Sequence, residues 1–205
     1  MSIFERYVYQ NPNSIPNETC DIIIAYFEEE EGRYKGVTSQ GLNEDVKNTM
    51  DFVIPNQEEE TKWTKICELL TCQLQENITE YMKSLKSHPN FLSDDYRFLY
   101  AKYLSEDNYQ IQKYKKGEGK YVYHEDSSID WERQRYRVIT FLWYLNDIEE
   151  GGETEILGDI LVKPERGKLL LFPACWTFPH RGKMPISSDK YIITGWFYVN
   201  RDEDL

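Results

Sequence analysis

Lys190-Tyr191-Ile192-Ile193-Thr194-Gly195-Trp196-Phe197-Tyr198-Val199 is apolar on both of its alternating faces, the pattern of a central strand covered on either side. Side chains two apart share a face, so Lys190, Ile192, Thr194 and Trp196 point one way. Upstream, the period stays at two back to about Tyr96. Strands are expected near Phe98 to Tyr103, Tyr109 to Tyr114, Lys120 to His124, Arg137 to Tyr144, Ile160 to Val162, Lys168 to Phe172 and Thr177 to His180, besides Lys190 to Tyr198. Pro164-Glu165-Arg166-Gly167 reads as a tight turn. Roughly eight strands is the count of a double-sheet jelly roll, a double-stranded β-helix.

The first half is helical. Asn17 is an N-cap candidate before Cys20, Ile23, Ile24 and Phe27 at helical spacing, and Glu28 to Gly32 ends that helix. A longer helix is expected from just after Pro55-Asn56 to about Lys86, with Trp63, Ile66, Leu69, Leu70, Leu74, Ile78, Met82 and Leu85 on one stripe. The fold class is therefore mostly β, with two N-terminal helices packed on one sheet. His88 suits a C-terminal interaction with the second helix, and Asp202 to Leu205 reads as a frayed tail.

A chain of 205 residues fits one domain, divided here into 1–95 and 96–200. Twenty-four basic against thirty-six acidic residues leave a net charge of −12, which disfavours charge-driven binding to nucleic acid or an anionic membrane. The N-terminus has neither a cationic nor an apolar leader segment, and no apolar run approaches a membrane span. Four cysteines without C-x-x-C spacing suggest free, mostly buried thiols in a reducing cytoplasm.

His124-Glu125-Asp126 places an imidazole and a carboxylate on the same side of an extended segment, and His180 lies on a strand that could pair nearby. Two imidazoles and a carboxylate on adjacent strands would make the facial triad that holds non-haem Fe(II) with three open positions. The plainer alternative is a surface turn whose histidines are satisfied elsewhere. Lys190, if its face is internal, needs an anion such as the far carboxylate of a chelating dicarboxylic acid; the alternative is a solvated rim lysine. Gly151-Gly152 predicts a left-handed turn with close backbone passage, and Gly117 and Gly119 lack the G-K-S/T of a phosphate loop.

Taken in order, Tyr114 to Asp126, Arg137 to Asn146, Gly151 to Thr154, Pro164 to Pro173, and His180 followed by Lys190 resemble the 2-oxoglutarate and Fe(II)-dependent oxygenases, in particular the prolyl 4-hydroxylase-like branch. The resemblance implies a dioxygenase that hydroxylates an unactivated C–H bond, most readily of a peptidyl proline, releasing succinate and CO2. It implies Fe(II), 2-oxoglutarate and O2 as co-reactants, with L-ascorbic acid a candidate reductant. Carried over by position, His124, Asp126 and His180 become iron ligands and Lys190 the partner of the distal carboxylate. Thr194 and Trp196 would line the co-substrate pocket, with Tyr114 and Tyr144 as pocket or core tyrosines. Arg137 matches a basic position of varied role, and residues 96–200 would form the catalytic core. The half before it would supply helical support and substrate loops, including Val46-Lys47-Asn48-Thr49, which is also readable as an ordinary polar loop. A peptide or protein partner is expected, against the alternatives of a free amino acid, another metabolite, or a non-catalytic jelly-roll metal-binding module.

Overall fold

The computed structural model describes residues 4–55, 60–87 and 104–200. A 3-10 turn at Phe4–Tyr7 leads into β1 (Tyr9–Asn11), α1 (Asn17–Glu29), β2 (Tyr34–Lys35), β3 (Lys47–Asn48), β4 (Met50–Val53) and α2 (Thr64–Lys86). There follow β5 (Leu104–Glu106), β6 (Gln110–Tyr114), β7 (Lys120–His124), β8 (Ile129–Asp130), β9 (Arg135–Tyr144), β10 (Thr154–Ile156), β11 (Ile160–Val162), β12 (Leu169–Pro173), β13 (His180–Gly182) and β14 (Lys190–Asn200). His88, the expected strand at 98–103 and the tail from Asp202 lie outside the described residues.

One antiparallel sheet runs β1-β12-β9-β14-β6-β4-β2, with β5 also paired to β14 and β8 to β9. The smaller sheet runs β11-β10-β13-β7-β3. Together they form the jelly roll, and the helices cover the outer face of the larger sheet. The doubly apolar strands explain this layering. Phe141 and Trp143 of β9, Leu169 and Leu171 of β12, and Ile193 and Phe197 of β14 pack under Ile23, Phe27, Leu70 and Leu74 of the helices. Their alternates, Leu142, Tyr144, Leu170, Phe172 and Ile192, face the smaller sheet. Each strand thus serves two cores, one per face.

The buried stripe of α2 also includes Asn77 and Tyr81. Asn77 is polar but satisfied: it accepts from Tyr9 Oη and Asn11 Nδ2, and donates to Ser14 Oγ and the Gln73 carbonyl. Gly195 lies opposite Phe141, and a Cβ there would stand 2.3 Å from Phe141 Cζ. The position therefore needs glycine for space.

Several expectations shift. The residue at the N-cap of α1 is Pro16, with no side-chain cap, and Asn17 is already helical. α2 starts at Thr64, because the Trp63 N–H donates to Thr61 Oγ1 and the Thr61 N–H to Thr64 Oγ1, a side-chain turn that replaces helical bonds. The indole of Trp63 is anchored instead, donating to Glu30 Oε1. The His180 strand begins at His180 rather than Thr177, since residues 175–178 close a turn and Pro179 has no N–H to give. Thr154–Ile156, not among the expected strands, is a buried strand. The Val46–Thr49 segment is not an ordinary polar loop: Lys47 is buried and ion-paired with buried Asp51 at 2.6 Å. All four cysteines are free, yet only Cys20 is fully buried. Among the described residues, no helix is long and apolar enough to cross a membrane.

Candidate metal centre

β7 and β13 pair antiparallel with His124 directly opposite His180, so register alone brings the two rings to 4.3 Å between centroids. Asp126 follows two residues on, and one ligand atom from each of the three residues lies within 4.8 Å of the others. His124 Nε2 is 3.7 Å from Asp126 Oδ1, and His180 Nε2 is 3.4 Å from Asp126 Oδ2. Both rings engage backbone carbonyls through Nδ1, His124 with Val122 at 2.8 Å and His180 with Phe178 at 3.1 Å. A carbonyl only accepts, so in each neutral imidazole the proton is on Nδ1 and the Nε2 lone pair faces the cluster. Two imidazole nitrogens and a carboxylate converging with lone pairs inward suit a divalent transition-metal ion, and the mixed N/O set suits Fe(II).

The surroundings lock that set. Tyr121 stacks on His124 at 3.5 Å, and Phe172 meets the His180 ring edge-on at 4.7 Å. Thr140 Oγ1 donates to Asp126 Oδ2 at 2.7 Å. Burial, followed by repulsion from His180, lowers the His124 pKa to about 4 against the pull of Asp126, so its imidazole is neutral. Burial pushes Asp126 upward, but His180 and His124, helped by Thr140 and the Trp196 indole, outweigh it and hold the carboxyl below its usual range. The indole N–H faces Asp126 without an aligned bond and has no other described partner.

These residues open into a cavity of about 680 Å³ that Lys190, Thr194, Trp196, Tyr114 and Arg137 also line. Lys190 is 1 % exposed. Its Nζ donates to the Gly152 carbonyl at 2.9 Å and lies 4.0 Å over the Tyr114 ring. Gly151 and Gly152 adopt φ of 74° and 75°, and this left-handed turn delivers that carbonyl. No described carboxylate forms an ion pair with Lys190; burial lowers its pKa to about 7 and distant Glu153 pulls it back only in part. An internal ammonium without a counter-ion suits an anionic ligand, and a dicarboxylate spanning metal and lysine meets both demands.

Thr194 lines the cavity, but its hydroxyl is committed to the Phe141 carbonyl. Trp196 lies 3.5 Å beneath the Arg137 guanidinium, whose Nε donates to Tyr198 Oη. Tyr144 departs from the pocket expectation: it is absent from the cavity wall, and its hydroxyl donates to Thr154 Oγ1 at 2.6 Å within the core. Sequence reading missed Thr140, Gln112 and Gln110. Alternation from Leu142 and Tyr144 along β9, and from Tyr114 along β6, was the signal that could have found them. A second cavity of about 950 Å³, lined by Tyr7, Tyr81, Met82 and Trp131, is mostly apolar and contains none of the three ligand residues.

Residues 109–198 match the family model described as the 2OG-Fe(II) oxygenase superfamily. No curated protein matches the chain. Among solved structures, it is similar to the viral collagen prolyl hydroxylase vCPH of Paramecium Bursaria Chlorella virus-1, with 19 % identity over 97 % of this chain and 99 % of that one and a TM-score of 0.63. It is similar to a Pseudomonas putida prolyl-4-hydroxylase at 19 % identity over 93 % and 92 % of the two chains, TM-score 0.62. A Trichoplax adhaerens prolyl hydroxylase shares 17 % identity over 95 % of this chain and 84 % of its own, TM-score 0.66. At such identities the likeness is one of fold. The segment matched at residues 109–198, the shared fold and the converging His124, Asp126 and His180 agree on a 2-oxoglutarate-dependent dioxygenase that uses Fe(II), 2-oxoglutarate and O2.

Proposed function

We propose that this chain hydroxylates a peptidyl prolyl residue, releasing succinate and CO2. His124, Asp126 and His180 hold the iron, and Lys190 holds the distal carboxylate of 2-oxoglutarate. The observation that carries this reading is the pairing, in one cavity, of two inward-facing Nε2 lone pairs with a buried lysine that has no ion-pair partner among the described residues. When bound, Fe(II) supplies oxygen activation driven by oxidative decarboxylation of the keto acid. The chain's own part is to position and to exclude water. Val122 and Phe178 carbonyls orient the imidazoles, Thr140 steadies Asp126, and Phe172 and Tyr121 close the space around the rings. Lys190 draws the co-substrate to its deep end.

A peptide substrate is supported by the Trichoplax relative, whose structure is a complex with a hypoxia inducible factor oxygen degradation domain peptide fragment. Residues 1–205 act as one catalytic domain, a division supported by the near-complete coverage of the viral relative. The four free cysteines suit a reducing cytoplasm. The test is a search for a +16 Da mass gain on peptides incubated with the protein, Fe(II) and 2-oxoglutarate, against His124→Ala protein as control. Modified proline in wild-type reactions only is the expected result. Modification confined to a free amino acid would move the assignment to a metabolite hydroxylase, and succinate formation equal in both proteins would end the reading.

A further inference from the structure

Residues 110, 112 and 114 alternate onto the cavity face of β6, and their polar atoms form a one-way chain. The Tyr114 hydroxyl donates to Gln112 Oε1 at 3.0 Å, Gln112 Nε2 donates to Gln110 Oε1 at 3.0 Å, and Gln110 Nε2 donates to Asp51 Oδ2 at 3.3 Å. Lys47 Nζ donates to the same Asp51 oxygen at 2.6 Å, and the second amide N–H of Gln110 reaches Tyr34 Oη at 3.2 Å. Chemistry imposes this direction. A carboxylate paired with a lysine accepts only, so Gln110 must turn its nitrogen to Asp51 and its oxygen to Gln112. The same constraint turns Gln112's oxygen to Tyr114.

The last link is what matters for a ligand. Tyr114 has a single O–H proton, and the chain commits it to the wall, so the phenol oxygen can accept a hydrogen bond from the cavity but cannot donate one. Gly182 keeps side-chain atoms off that oxygen, since a Cβ there would lie 3.1 Å from it. Lys190 stands over the same ring. The two residues at the deep end therefore differ in kind, one a charged donor and the other an acceptor.

We propose that Gln112 is a positioning residue that, anchored through Gln110 on Asp51, holds the Tyr114 hydroxyl as an acceptor and so sets how strictly the co-substrate pocket demands a terminal carboxylate. The inference rests on the proposed role of Lys190. With Tyr114 unable to donate, a ligand ending in a carboxamide keeps one favourable contact that a carboxylate lacks, its N–H to the phenol oxygen. Freeing the phenol proton removes that tolerance.

The test compares binding of 2-oxoglutarate and its distal carboxamide to Mn(II)-loaded full-length protein, read by tryptophan fluorescence. Gln112→Met keeps length and shape but cannot accept from Tyr114. It is expected to tighten 2-oxoglutarate about three- to tenfold, the worth of one net hydrogen bond, and to raise the preference for acid over amide by a similar factor. In a Tyr114→Phe background the same substitution is expected to change nothing. Gln110→Met removes the anchor while leaving Gln112 and Tyr114 in place, and is expected to move the preference in the same direction, which keeps the test open if the first variant does not fold. An unchanged preference in the folded variant, or an equal shift in the Tyr114→Phe background, overturns the proposal. Wild-type protein that binds neither ligand would instead overturn the function proposed above.

Discussion

Raising the pH should weaken 2-oxoglutarate binding through Lys190. In the ligand-free protein burial holds this ammonium's pKa at about 7, with Gly152 O and the Tyr114 ring as its only described contacts and Glu153 as a distant anion. A bound carboxylate favours the charged form and raises that pKa again. The sign follows: below pH 7 the lysine is charged in both states, and binding is indifferent to pH. Above it the free protein is neutral and the complex charged, so each binding event takes up a proton. Affinity then falls toward a limit of about tenfold per pH unit. Both ligand carboxylates stay ionised throughout, and His124, lowered to about 4, is already neutral. Isothermal calorimetry on Mn(II)-loaded protein, in two buffers of different ionisation enthalpy, reads the proton uptake directly. It should rise from about one half at pH 7 toward one by about pH 8.5, and Lys190→Met should abolish it. Affinity flat across this range, with heats independent of buffer, would refute the reasoning.

The same lysine should cost stability. Its unfolded pKa is about 10.4 and its folded value lower, so the unfolded state binds the extra proton and ligand-free stability should rise with pH between about 7 and 10. At neutral pH, Lys190→Met should therefore raise the melting temperature while weakening 2-oxoglutarate; a lower melting temperature would contradict the burial argument. Thr140→Val removes the donor to Asp126 Oδ2 at nearly constant shape, and should lower Mn(II) affinity about tenfold with little change in melting. Unchanged metal affinity would mean that Asp126 needs no such support. Gly195→Ala forces a Cβ against the Phe141 ring and should destabilise by about 1–3 kcal/mol in urea unfolding, whereas an unshifted midpoint would show that the ring can yield.

The strands that face two cores were the most legible part of the chain, because β9, β12 and β14 need apolar side chains on both faces and few other segments tolerate them. His124 and His180 were legible for a related reason: each lies on a strand where alternation fixes its direction, and cross-strand register does the rest. Short strands of the first half escaped notice. β3 and β4 carry Lys47 and Asp51, whose burial depends on pairing with each other rather than on any apolar pattern. Tyr144 shows the limit of transfer by position, since one face of β9 serves both cavity and core, and only packing against Thr154 decides which part a given tyrosine meets. The start of α2 depended on two threonine hydroxyls competing for backbone N–H groups, a contest that apolar periodicity does not record.

The most direct measurement is optical. Adding Fe(II) and then 2-oxoglutarate to the protein without oxygen should produce the visible charge-transfer band of a keto acid chelated to ferrous ion. Asp126→Ala should lose the band at equal concentrations, and Lys190→Met should need more 2-oxoglutarate to reach it. Wild-type protein that stays colourless, or a band that survives loss of Asp126, would contradict the account.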